Sequence, residues 1–365
     1  MKNLIGALAL LAAAASTARA QDVIHFKDGT ADVDGEVVSL SYRTVDYDIV
    51  LGNKVRQQAD AKKVSDISVD KNQSTFEFNQ GQSAMEAGNF GEAIDKFNRV
   101  TRDPRARDLL KQTAAINIVR CQYYSENVPG CLAAIQSLRQ IKPESFFLME
   151  SYQMEIKACL AKNDVGGAQA AVAALEGKGN SENMPEWSRA ADVLRGGLLE
   201  LQKKWREALA IYRKYGADKD AGDDAKIGEL RCLKETSDWA GLSVRSEAIL
   251  GELHNRKVPN DRLSTAAYNG RGEANLNGGK IKEALLDFMQ GVAVFSKSGG
   301  GNREHETALA RASFACSRIA LAEKADKARR DTYKRRAQEL EADLKRGYPG
   351  SPYAADLKRA IDEVK

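Results

Sequence analysis

Five cysteines and three histidines are the residues of this 365-residue chain best suited to metal, thiol or proton-transfer chemistry. Cys121, Cys131, Cys159, Cys232 and Cys316 include no Cys-x-x-Cys pair, and His25, His254 and His305 stand far apart, so the usual zinc spacing is absent. The odd number of cysteines leaves at least one thiol without an internal partner. Cys121 and Cys131 flank a turn from Glu126 to Gly130, near the facing ends of two antiparallel helices. That placement allows a disulfide; the other reading is two small buried residues at helix contacts. Cys159 and Cys232 fall where alanine-sized side chains pack. No Gly-x-Ser-x-Gly elbow or His-Glu-x-x-His pair occurs. Gly278-Gly279-Lys280 is followed by Ile281 where a phosphate loop needs Ser or Thr, and Ser298-Gly299-Gly300-Gly301-Asn302 follows no strand and reads as a linker. Charges from Lys324 to Arg336 alternate in sign, as on a solvated helix face. The sequence therefore predicts no catalytic residue, no metal, no cofactor and no enzyme.

What does recur is a phrase. Asn89-Phe90-Gly91-Glu92-Ala93-Ile94-Asp95-Lys96-Phe97 is echoed by Lys204-Trp205-Arg206-Glu207-Ala208-Leu209-Ala210-Ile211-Tyr212 and by Lys280-Ile281-Lys282-Glu283-Ala284-Leu285-Leu286-Asp287-Phe288. Recurrence at a few tens of residues marks stacked helical hairpins, because one hairpin cannot bury its apolar face alone. Ala93, Phe97 and Val100 share a helix face, while Glu92, Asp95, Lys96 and Arg99 point elsewhere. Asn89 stands at the N-cap position and Pro104 lies just past the helix. Thr75 to Ala87 supplies the partner helix, with Gly81 and Ala84 small enough for close approach.

Composition fits soluble, alanine-rich helices, with aromatics at 7% and charged residues at 29%. The formal charge of +4 falls to +2 once Lys2 and Arg19 are removed with a leader, so bulk charge makes no case for nucleic-acid or membrane-surface binding. Residues 1–20 read as that leader: Lys2, an apolar run from Leu4 to Ala15, and Ala18-Arg19-Ala20 before Gln21. The run is shorter than the roughly 20 residues a spanning helix needs. No cysteine follows the cleavage site to carry a lipid. The expectation is a periplasmic or secreted chain with no transmembrane anchor after cleavage.

Residues 21–72 have a different grain. Val23 to Phe26, Val37 to Tyr42, Tyr47 to Leu51 and Val64 to Val69 are short β-branched runs, broken by Asp28-Gly29, Asp34-Gly35, Gly52-Asn53 and a polar stretch from Arg56 to Lys63. That punctuation predicts a small antiparallel sheet with hairpin turns, too small to stand without the first helices. The string Val23-Ile24-His25-Phe26-Lys27-Asp28-Gly29 with Gly35-Glu36-Val37-Val38 and Asp48-Ile49-Val50-Leu51 resembles the opening of Sm-like and other SH3-like small barrels. RNA binding is an activity of that family, but its acidic and asparagine RNA contacts are replaced here by Ser41 and Val45. A structural or docking barrel is the expectation.

The helical section resembles the tetratricopeptide repeat (TPR), whose motif sets small residues at helix contacts, an aromatic in the second helix and a proline at the exit. Gly81, Ala84, Ala93, Phe97 and Pro104 match, as do Gly272, Ala284 and Phe288 in a later copy. Weaker copies place Ala134, Leu138 and Ile141; Ala168, Val172 and Leu175; Ala208, Tyr212 and Tyr215; and Leu242 with Ile249. Two intervals equal the family's ~34-residue unit and the rest are longer. The fourth copy drifts, with Asp192 at an apolar position. The string Tyr348-Pro349-Gly350-Ser351-Pro352-Tyr353 is similar to repeat exits in exported bacterial envelope TPR proteins. The resemblance implies a mostly α fold: a right-handed TPR-like α-solenoid over 73–296, a Gly-rich linker at 297–303, and TPR-like capping helices over 304–365.

Such a scaffold implies a concave groove for an extended or helical peptide. The family's groove position falls on Gln82, Tyr123, Lys157, Arg231 and Glu273. The expectation is a non-enzymatic adaptor in the bacterial cell envelope, binding a protein or peptide and no nucleic acid. The alternative is a cell-wall or glycan binder that uses the N-terminal β module.

Overall fold

A computed structural model describes residues 21–27, 31–51, 53–70, 74–219, 221–256, 260–294 and 303–364. The leader expected at 1–20 and most of the expected linker, residues 297–302, lie outside the described residues. Five antiparallel strands come first: β1 Asp22–Phe26, β2 Val33–Leu40, β3 Thr44–Leu51, β4 Asn53–Asp60 and β5 Val64–Ser68. Their sheet order is β4-β3-β2-β1-β5, with one 3₁₀ turn, Ala61–Lys63, ahead of β5. Ile24, Val37, Leu40, Val45, Tyr47 and Val64 fill the core of this module.

β4 is the strand that the sequence conceals. Most of the polar stretch that reads as punctuation belongs to it, and it pairs with β3 from Leu51↔Asn53 to Thr44↔Asp60. Its side chains are exposed up to Ala59, so no apolar alternation announces it. As an edge strand it carries Lys54 and Arg56, charges that discourage pairing with another chain.

Fifteen helices follow among the described residues: α1 Phe76–Glu86, α2 Phe90–Arg102, α3 Asp108–Tyr124, α4 Val128–Ile141, α5 Leu148–Ala161, α6 Val165–Ser181, α7 Pro185–Leu201, α8 Trp205–Tyr215, α9 Gly222–Glu235, α10 Trp239–His254, α11 Asp261–Asn277, α12 Ile281–Val294, α13 Arg303–Ala322, α14 Lys327–Gly347 and α15 Ala354–Asp362. They pair in order from α1/α2 to α13/α14, and α15 closes the array against α13 and α14. From α1 to α13, each odd-numbered helix also touches the next odd-numbered one, while even-numbered helices pack mainly on chain neighbours. The odd helices therefore crowd the inside of a curve and the even ones ride outside it, which is a TPR-like α-solenoid.

One turn is repeated through the first six hairpins. The residue two places before each second helix has positive φ: Gly88 78°, Glu126 59°, Asn163 56°, Lys203 57°, Ser237 57° and Gly279 75°. The N–H that follows reaches back five residues, from Asn89 to the Ala84 carbonyl at 2.8 Å and from Asn127, Asp164, Lys204, Asp238 and Lys280 to theirs at 2.9 Å. This left-handed closure satisfies carbonyls that the first helix would otherwise leave unpaired. Asn127, Asp164 and Asp238 then cap the second helix by accepting the N–H groups of Gly130, Gly167 and Gly241. Asn89 occupies the expected N-cap, but its side chain makes no capping bond.

The repeat interiors follow the sequence with two corrections. Ala93, Phe97 and Val100 are buried, and a Cβ on Gly81 would lie 2.8 Å from the Phe97 ring. In the second hairpin the contact residues are Cys131, Ile135 and Leu138, while Ile141 is 64% exposed. The copy expected at Ala134, Leu138 and Ile141 is thus one helical turn too late, because a cysteine stands where alanine was sought. The disulfide reading also fails: Cys121 and Cys131 are free thiols. Cys121 packs with Phe78 and Phe97, and Cys131 packs with Ile135 and Met154, so the two belong to different apolar clusters. Burial pushes the Cys121 thiol up to about 12 and the Cys131 thiol to about 11, which keeps both protonated.

The β module docks on the helices. Asp22, fully buried, receives both Nη groups of Arg107 at 2.8 and 3.0 Å and the Val37 N–H at 3.0 Å. Gln112 donates to the Leu40 carbonyl at 3.1 Å, and Leu109 completes the sheet's apolar cluster. Tyr42 meets Trp187 edge to face at 5.4 Å.

Candidate interaction surface

The inner helices α1, α3, α5, α7, α9, α11 and α13 carry all five residues that the repeat register assigns to the groove. A hydrogen-bonded ladder runs along them. Gln82 of α1 accepts from Asn117 of α3 at 3.4 Å, Asn117 accepts from Arg120 at 2.9 Å, and Arg120 forks onto Glu150 of α5 at 2.7 and 2.8 Å. Further along, Arg231 of α9 grips Glu200 of α7 through two bonds of 2.8 Å and reaches Glu304 of α13 at 3.2 Å. Glu273 of α11 is buried between Lys234 at 3.3 Å and Arg311 at 2.7 Å.

Three of the five expected groove residues, Gln82, Arg231 and Glu273, are thus engaged in bonds between hairpins. Arg231 and Glu273 also line a cavity of about 80 Å³ with Trp205, Asn269, Arg303 and Tyr353, which has room for water and not for a peptide. Burial raises the Glu200 carboxyl, and Arg231 together with the Tyr212 hydroxyl overrides it, holding the acid below its usual range. This cluster therefore acts as a structural tie.

The other two, Tyr123 and Lys157, keep side-chain surface at the inner face. Lys157 makes no hydrogen bond or ion pair among the described residues. Its charge reaches α9: crowding by protein raises the Asp224 carboxyl, and Lys157, Arg262 and Arg231 outweigh that and lower it. Asp224 binds Arg262 of α11 at 2.7 Å while both side chains remain more than two-fifths exposed. Tyr123 of α3, whose hydroxyl is pushed up by burial, senses Arg262 and Glu304 of later hairpins. Tyr124 meets it edge to face, with ring centroids 5.9 Å apart. Asp224 and Arg262 thus pair across two hairpins at the surface, within reach of the Lys157 charge, while the half-buried Tyr123 ring lies in the field of Arg262.

Asp224 and Arg262 carry no motif signal of their own, although helix periodicity contains them. Asp224 lies seven residues before Arg231 and Arg262 eleven before Glu273, both spacings that return to one helix face.

No family model matches the chain, and no curated protein matches it. Solved structures share its outline at low identity. A tetratricopeptide repeat protein from Parabacteroides merdae is 13% identical, with a TM-score of 0.48 over 78% of this chain and 97% of that one. PilF of Pseudomonas aeruginosa is 15% identical, with a TM-score of 0.41 over 68% and 96%. PilW, described as a type IV pilus biogenesis factor, is 12% identical, with a TM-score of 0.41 over 67% and 97%. At these values the likeness carries no statement about function, which must be read from this chain's own residues.

The β module holds one arrangement that resembles chemistry. His25 bonds Asp32 through Nδ1 and Ser68 through Nε2, each at 2.8 Å. The relay joins β1, β5 and the residue just before β2, and none of its members lines a described cavity. Val45, where the Sm pattern places an RNA contact, is core, and Ser41 closes the β2–β3 turn by accepting the Arg43 and Thr44 N–H groups.

Proposed function

We propose that this chain is a non-enzymatic scaffold of the bacterial cell envelope that holds a peptide or protein partner against its inner face. The observation that carries the reading is the exposed Asp224–Arg262 pair between two inner helices, joined on the same row of helices by Lys157, which has no ion pair among the described residues, and by the Tyr123 ring. An aromatic ring beside both signs of charge suits an extended peptide, whose amides and side chains need donors, acceptors and apolar area at intervals. The leader at residues 1–20 supports export to the periplasm or medium, and no helix among the described residues is long and apolar enough to cross a membrane. The strand order and the 3₁₀ turn before β5 support an SH3-like reading of residues 21–72, ahead of repeats over 73–296 and capping helices over 304–365. Its burial against α3 and α7 favours bracing of the array over independent glycan recognition.

A photo-crosslinking residue in place of Tyr123 should capture a reproducible envelope protein, and adding Lys157→Glu should reduce its recovery about tenfold. Recovery unchanged by Lys157→Glu and by Arg262→Glu together would remove the inner face from the proposal.

A further inference from the structure

We propose that a second site, the cavity between the β module and the ends of α7 to α10, binds an acidic peptide segment of a partner protein. The cavity measures about 1200 Å³ and shares no lining residue with the inner face described above. Its size exceeds the ~300–1,000 Å³ of ordinary small-molecule pockets, which favours an extended chain.

Among the described residues, nine basic side chains line it against four acidic ones, so its field is positive. Three of the four carboxylates are already neutralised within the wall. Asp218 pairs with Arg189 at 2.7 Å, Asp223 with Arg256 at 2.7 Å, and Glu252 with Lys226 at 2.6 Å. Arg213 and Arg245 share Glu229 behind the wall. Lys63 on the sheet side and Lys219 on the helix side are exposed and have no ion pair among the described residues. An anionic chain lying between them would neutralise both walls at once.

The lining chemistry selects among polyanions. No aromatic ring lines the cavity among the described residues, so bases would find no stacking platform. A phosphate polymer offers acceptors alone and would meet the wall carboxylates with nothing to donate. An acidic peptide presents spaced carboxylates to the lysines and amide N–H groups to acceptors such as Glu186.

The test titrates a fluorescein-labelled ten-residue Asp/Glu peptide into the mature chain, followed by fluorescence anisotropy. Saturable binding is expected, weakening with added salt and weakening about tenfold or more in Lys63→Glu/Lys219→Glu. If that pair melts lower than the parent, Lys63→Gln/Lys219→Gln serves as the readout, with a smaller loss in the same direction. Absence of saturable binding, or affinity unchanged in the folded variant, overturns the proposal. So does saturable binding of inorganic polyphosphate by a chain that ignores the peptide.

Discussion

Tyr212 shows how one residue sets the spacing of three helices. It is buried on α8, and its ring occupies the room that glycine leaves on both neighbouring inner helices. A Cβ on Gly196 would lie 2.6 Å from that ring and one on Gly228 2.3 Å. Its hydroxyl donates to Glu200, which Arg231 clamps from the next hairpin. Truncating Arg231 would leave a buried carboxylate without its cation, so Arg231→Leu should cost about 3 kcal/mol by chemical denaturation at neutral pH. The sign of the pH effect follows from the lowered Glu200 carboxyl. Its contribution is complete above the ordinary value of 4.5 and is lost as pH falls through the folded value. The stability gap between parent and Arg231→Leu should therefore narrow below about pH 4.5; a gap that stays constant would detach Glu200 from this role.

At the scale of elements, the hairpin turn repeats in backbone more faithfully than in sequence. Six turns share one left-handed residue, yet glycine fills that place only at Gly88 and Gly279. Glu126, Asn163, Lys203 and Ser237 adopt positive φ despite their Cβ atoms, at a cost of about 1 kcal/mol for an ordinary side chain. Lys203→Gly should accordingly raise stability by up to about 1 kcal/mol, less what glycine adds to the entropy of the unfolded chain. A lower melting temperature for Lys203→Gly would show that the lysine side chain matters there for another reason. The same variability explains the misplaced second copy: Cys131 does alanine's packing, and the alanine nearest to it in the motif's phase is Ala134.

For the whole molecule, the decisive contact lies between sheet and solenoid. Asp22 at the head of β1 is fully buried only because Arg107, at the N-cap of α3, forks onto it. Leu109 supplies core that the sheet lacks. Residues 21–72 expressed alone should therefore fail to give a dispersed amide spectrum, and Arg107→Leu in the full chain should lower the melting temperature. A well-folded isolated module would contradict this dependence and reopen the reading in which it recognises a ligand independently.

Helical hairpins, their contact residues and the small sheet were legible from sequence, because burial imposes a 3.6-residue or two-residue period on any chain that forms them. Ala93, Phe97, Ala208, Tyr212, Ala284 and Phe288 could be picked out for that reason. β4 escaped because an exposed edge strand obeys no burial period. The division of labour on the inner face was settled only by the tertiary structure. Gln82, Arg231 and Glu273 share a helix position with Tyr123 and Lys157, yet the first three found partners on neighbouring hairpins and Lys157 found none among the described residues. Which charged side chains meet is fixed by distances between residues scores of positions apart, and local periodicity carries no record of them.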